Sequence, residues 1–122
     1  MPRPAKTIAI IDDDESVRCA LRRLVQTAGW TALTFTTAEA FLELPAQLPH
    51  ACIILDLCLP GLTGLELKKQ LDAAGRMLPV IFITAHANEQ IREQALQAGA
   101  IAFLSKPFDD QDLLDVLELG VG

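Results

Sequence analysis

The chain has 122 residues, 10 basic against 16 acidic, giving a formal net charge of −6 with 51% hydrophobic and 21% charged residues. That length and composition suit a single globular domain over residues 1–122 with a core of its own, and exclude a disordered or fibrous chain. The acidic balance argues against direct binding to nucleic acid or to an anionic membrane surface. No apolar run is long enough for a signal peptide or a membrane span, so the expected location is the cytoplasm.

Residues 8–11 form the first short apolar run, rich in Ile and followed by Asp12-Asp13-Asp14-Glu15. Beyond it Val17, Ala20, Leu21, Leu24, Val25 and Ala28 recur at helical spacing opposite Arg18, Arg22, Arg23 and Gln26, which predicts an amphipathic helix that Gly29 ends. Residues 30–35 alternate more and carry Thr31 and Thr34, the pattern of an edge strand; Ala38, Phe41 and Leu42 open a shorter helix limited by Pro45. Apolar runs at 51–55, 80–83 and 101–104 read, like the first, as parallel strands buried on both faces. Helices are predicted over 62–74, 89–98 and 110–119, with Gly75 and Gly99 as stops and the weakest apolar stripe in the fourth. Strand and helix thus alternate five times. The fold class is α/β, a doubly wound five-stranded parallel sheet in the order 2-1-3-4-5, with its switch point between the first and third strands.

Ligands of such sheets bind beyond the strand C-termini, and four strand ends here carry polar residues: Asp12 to Glu15, then Asp56, Thr84 and Lys106. Asp14 reads as a helix N-cap, yet a cap does not need three consecutive aspartates. Carboxylates gathered at one point repel unless a cation sits among them, and Mg2+ takes oxygen ligands of this kind. Asp13 and Asp56 are the expected direct ligands, Asp12 a partner through water, and the Cys58 carbonyl a candidate third. A carboxylate can attack phosphorus when a metal and a fixed cation neutralise the transferring group, and Lys106 supplies that cation. Pro107 fixes the backbone after Lys106 and is open to the cis form. Thr84 reads both as a β-branched strand end and as a hydroxyl at the pocket mouth. Phe103 reads as a core aromatic and as a group able to move between buried and exposed positions. Cys19, Cys52 and Cys58 form an odd set with no C-x-x-C pair and read as free thiols. His50 reads as a solvated loop residue, and Trp30 as a packing residue.

Four motifs in this order resemble the receiver domains of two-component response regulators, across residues 7–119. They are Ile10-Ile11-Asp12-Asp13-Asp14-Glu15-Ser16-Val17-Arg18, Asp56-Leu57-Cys58-Leu59-Pro60-Gly61-Leu62-Thr63-Gly64, Ile83-Thr84-Ala85-His86 and Phe103-Leu104-Ser105-Lys106-Pro107-Phe108. The resemblance implies a flavodoxin-like fold in which Asp56 accepts a phosphoryl group from a sensor histidine kinase. It further implies that Asp12 and Asp13 hold Mg2+, Lys106 contacts the phosphate, and Thr84 and Phe103 relay the change. The readout is a reshaped face of the fourth helix, fifth strand and fifth helix. Cys58 and His86, two residues beyond Asp56 and Thr84, occupy positions that in the family influence how fast the phosphoryl group is lost. The stretch 78–84 with 106–110 is most similar to receivers that precede a helix-turn-helix output domain, so the implied partner is a downstream protein or output domain. The implied assembly is a monomer at rest that can pair when phosphorylated. Chemistry beyond autocatalytic phosphotransfer and self-dephosphorylation is not expected.

Two other classes compete. A phosphorylation-independent interaction module would commonly lose an acidic residue or the lysine, and this chain keeps them all. An aspartate-nucleophile phosphohydrolase would use Asp12 and Asp14 as nucleophile and acid, but usually has Gly or Thr after the second aspartate, where Glu15-Ser16 stand here.

Overall fold

In the computed structural model, which describes residues 6–43, 52–76 and 78–121, the apolar runs become the strands of one parallel sheet. The elements are β1 (Thr7–Ile11), α1 (Glu15–Thr27), β2 (Thr31–Phe35), α2 (Ala38–Leu42), β3 (Cys52–Asp56), α3 (Gly64–Ala73), β4 (Val80–Thr84), α4 (Glu89–Gln97), β5 (Ala102–Ser105) and α5 (Asp110–Val121). Their order in the sheet is β2-β1-β3-β4-β5, and every neighbouring pair is parallel, as the alternation of strand and helix predicts. Central β3 and β4 are buried along their whole length, the consequence of helices covering both faces.

Successive strand side chains point to opposite faces, which divides the core in two. On one side Ala9, Ile11, Ile53, Leu55, Val80 and Phe82 pack with Phe41 of α2, Leu67 and Leu71 of α3 and Ala95 of α4. On the other, Ile8, Ile10, Ile54, Ile81 and Ile83 meet Leu21 and Val25 of α1 and Leu113 and Leu117 of α5. Each Ile or Leu side chain so buried contributes roughly 1.5–3 kcal/mol relative to exposure, which is why short strands with no special propensity for one another hold their register.

The structure corrects the sequence reading at several boundaries. β5 is not buried on both faces: Ala102, Phe103 and Leu104 are only half-buried, because β5 is the second edge of the sheet and has β4 on one side alone. Ile101 precedes the strand and is exposed. Strands β3, β4 and β5 run one residue further than the apolar pattern, so that Asp56 pairs with Ile83 and Thr84 with Ser105 as the last members of the ladder. α3 starts at Gly64, not at 62, since Thr63 caps it in a reciprocal box with Glu66. α5 extends to Val121. The stop expected at Pro45 lies outside the described residues, as do His50 and Ala51. Among the described residues no helix is long and apolar enough to cross a membrane.

Candidate functional site

The site forms at the carboxyl edge, where β1 and β3 lie side by side and their connections leave in opposite directions. The ladder outlasts β1 by one bond, Asp12 N–H donating to the Phe35 carbonyl at 3.1 Å, and this seats Asp12 with no exposed surface. Its Oδ1 accepts from the Asp14 N–H at 2.8 Å, and its Oδ2 accepts from Lys106 Nζ at 2.8 Å. Asp14 caps α1 as expected, its Oδ1 accepting from the N–H groups of Ser16 at 2.8 Å and Val17 at 3.3 Å. Asp13, between them, is exposed.

Asp56 ends β3 with 4% of its surface exposed. Its Oδ1 accepts from the Cys58 N–H at 2.9 Å, while Oδ2 lies 3.4 Å from Lys106 Nζ. Lys106 is carried on the chain leaving β5, its N–H donating to the Thr84 carbonyl at 2.8 Å, and a cis peptide joins it to Pro107. The ammonium therefore bridges two carboxylates that are 44 residues apart in the sequence. Thr84 is wholly buried; its Oγ1 accepts from the His86 N–H at 3.1 Å and lies 3.5 Å from Cys58 Sγ. The His86 side chain is exposed, so this residue enters the site through its backbone. Phe103 stands opposite Phe82 in the register of β4 and β5, half-buried against the α2–α3–α4 side of the core.

The electrostatics follow from burial. Desolvation raises the Asp12 carboxyl above the ordinary value, and the nearby Asp56 charge adds to this, against the lowering effect of hydrogen bonds from Lys106 and Asp14. For Lys106, burial alone works to lower the ammonium, but the hydrogen bond and charge of Asp12 together with Asp56 outweigh it and leave the group raised. One cation thus faces two buried carboxylates with Asp13 at their side, and a further positive charge is the arrangement that relieves Asp12. One oxygen from each of Asp12, Asp13 and Asp56 falls within 4.8 Å of the others, an all-oxygen set that could hold a hard divalent cation.

Three contributors were given no role of their own by the sequence reading, though Arg18 and Gly64 lie within its motifs. Arg18, expected on the polar face of α1, donates from a guanidinium nitrogen to the Asp12 carbonyl at 2.8 Å and ties the helix to the loop that carries the carboxylates. An arginine in the first turns after an acidic loop is the available signal. Glu39 of α2 receives the Leu62 N–H at 3.4 Å and steadies the loop after Asp56. No local pattern announces that contact. Gly64 has no room for a side chain, since a Cβ there would lie 2.5 Å from the Asp56 carbonyl oxygen.

Comparison with known proteins agrees with this arrangement. A profile described as the response regulator receiver domain matches residues 8–118. The transcriptional regulatory protein FixJ of Azorhizobium caulinodans is 37% identical over 115 residues, 94% of this chain and 54% of that protein. The response regulator protein TmoT of Ectopseudomonas mendocina is 40% identical over 110 residues, 90% of this chain and 50% of that one. The chain therefore spans about half the length of the curated relatives it matches. Among solved structures, the response regulator StyR is similar with a TM-score of 0.87 and 42% identity, covering 97% of this chain and 60% of that one. The structure titled FixJ-N superposes with a TM-score of 0.88 at 30% identity, covering 98% and 95% of the two chains.

Proposed function

The chain belongs to the response regulator receiver domain family of two-component signalling, and on that premise we propose that Asp56 is its phosphoacceptor and Mg2+ its cofactor. The observation that carries this reading is Lys106 Nζ, held 2.8 Å from Asp12 Oδ2 and 3.4 Å from Asp56 Oδ2 at the edge of the acidic cluster. In the proposed reaction an Asp56 oxygen attacks the phosphorus of a phosphohistidine on a sensor kinase. The new O–P bond makes an acyl phosphate, and the P–N bond breaks with its electron pair going to the imidazole nitrogen. Lys106 meets the charge of the transferred group. Asp12, Asp13 and Asp56, with the Cys58 carbonyl, would hold Mg2+, which supplies charge neutralisation to the phosphoryl oxygens when bound. The Cys58 N–H orients the acceptor carboxylate.

The domain is regulatory, and its own chemistry in this reading is limited to taking up the phosphoryl group and losing it by hydrolysis. Thr84 and Phe103 are the proposed relay, and the face of α4, β5 and α5 the proposed output surface. Its reader is a downstream protein or an output domain like those of transcriptional regulators, acting in the cytoplasm on a monomer that pairs when phosphorylated. A phosphohydrolase needs Asp14 free as an acid, whereas here Asp14 is engaged in capping α1. Acetyl phosphate with Mg2+ is expected to add one phosphoryl group to the intact protein by mass, and none to Asp56→Asn. Labelling that survives this substitution overturns the assignment.

A further inference from the structure

Cys58 joins three parts of the site through one residue. Its N–H holds Asp56 Oδ1 at 2.9 Å, its carbonyl belongs to the proposed metal set, and its thiol sulfur lies 3.5 Å from Thr84 Oγ1. The thiol comes from an exposed residue, whereas Thr84 has no exposed surface, so the hydroxyl cannot turn to water for a partner. One lone pair of Oγ1 already receives the His86 N–H at 3.1 Å. A hydroxyl has one hydrogen to donate, and for Thr84 to act in the proposed relay that hydrogen would go to a phosphoryl oxygen on Asp56.

We infer that the Cys58 thiol is a latch on Thr84, positioning the hydroxyl in its resting orientation and thereby setting how readily the domain passes to its phosphorylated form. The contact can run either way, hydroxyl to sulfur or thiol to oxygen. The latch is the first case: a hydroxyl hydrogen given to sulfur must leave it when Thr84 turns to the phosphoryl group, whereas a thiol that donates to Oγ1 leaves that hydrogen free. A sulfur hydrogen bond is weak, so the latch is shallow: it biases the two-state equilibrium without locking it. Cys58 is in this sense a positioning residue. Its effect passes through Thr84, which separates it from a side chain that only screens the acceptor from water.

The inference rests on the phosphoacceptor reading, and a double-mutant cycle with beryllofluoride and Mg2+, read by calorimetry, keeps the two apart. Cys58→Ala is expected to bind the phosphoryl mimic about two- to fivefold more tightly than the unmodified protein, the scale of one weak hydrogen bond. Cys58→Ser, which keeps a group able to bond Oγ1, is expected to return to the unmodified value or below it. In a Thr84→Ala background, Cys58→Ala is expected to change nothing; Thr84→Val, closer in shape, provides the same background if the alanine variant folds poorly. Tightening of equal size with and without the Thr84 hydroxyl overturns the latch, as does no tightening at all. Failure of the unmodified protein to bind beryllofluoride with Mg2+ overturns the phosphoacceptor reading itself, and the latch with it.

Discussion

The connections after β3 and after β4 leave the same edge of the sheet, yet they are held very differently. The β3–α3 connection begins with the Cys58 N–H on Asp56, donates the Leu62 N–H to Glu39, and closes into the Thr63–Glu66 capping box. α3 then buries Leu67, Leu71 and even Lys68, whose ammonium donates to both Asp72 oxygens at 2.7 and 2.8 Å. The β4–α4 connection has the His86 N–H on Thr84 and an Asn88 cap at Ile91, after which α4 buries Ala95 alone. In the function proposed above this asymmetry would have a use. The chemistry needs a fixed carboxylate, and a switch needs an element with little burial to lose when it moves.

The contrast is tested most severely at Gly64. A methyl group there would enter the space of the Asp56 carbonyl, a backbone atom that cannot swing aside, so Gly64→Ala is expected to cost about 2–3 kcal/mol in urea denaturation. Beryllofluoride binding should weaken with it, because relief of the clash displaces the acceptor strand. Unchanged stability and affinity would show that the β3–α3 connection is more yielding than its contacts imply. A smaller effect separates the two helix caps. Thr63→Ala and Asn88→Ala each remove a side-chain oxygen from a helix N-terminus, a loss of about 1 kcal/mol or roughly fivefold in an opening equilibrium. For Thr63 the loss should appear in the global unfolding midpoint, since α3 is part of the core. For Asn88 it should appear in addition as faster amide hydrogen exchange confined to α4, which opens without the rest of the core. Exchange that quickens to the same extent and as locally in α3 as in α4 would erase the distinction between the two sides.

Much of this was legible in the sequence because burial and spacing are local signals. The Ile- and Val-rich runs specify strands, their alternation with helical stripes specifies the sheet order, and the acidic, hydroxyl and lysine residues placed just after those runs specify the site. The thin stripe of α4 was legible too, as a shortage of apolar residues at helical spacing. What sequence could not supply were facts that depend on neighbours. β5 has the apolar composition of a central strand, and only its place at the sheet edge leaves Phe103 half-buried. The necessity of Gly64 comes from a backbone atom eight residues earlier that folding brings against it. The contact between Cys58 and Thr84 spans 26 residues and depends on β3 and β4 being adjacent, which no pattern within either segment encodes.

The smallest expected effect is also the cleanest measure of how loosely α4 is held. Arg92 and Glu89 form an ion pair on that helix at 3.5 Å, with 54% and 74% of their side chains exposed. Water and salt screen such a pair, and ordering two long side chains offsets most of its attraction. Lys68–Asp72 on α3 has the same helical kind of spacing, but its lysine is only 6% exposed, so loss of that ammonium leaves a partner that solvent reaches less well. Arg92→Ala is therefore expected to shift the unfolding free energy by less than about 0.5 kcal/mol, and by less still as salt is added. A loss above roughly 1 kcal/mol, outside the range of exposed pairs, would mean that α4 draws its hold on the domain from its charged surface and not from Ala95. The helix would then be restrained by charges that a bound partner or a phosphoryl group could redirect, and not free to move for want of buried contacts.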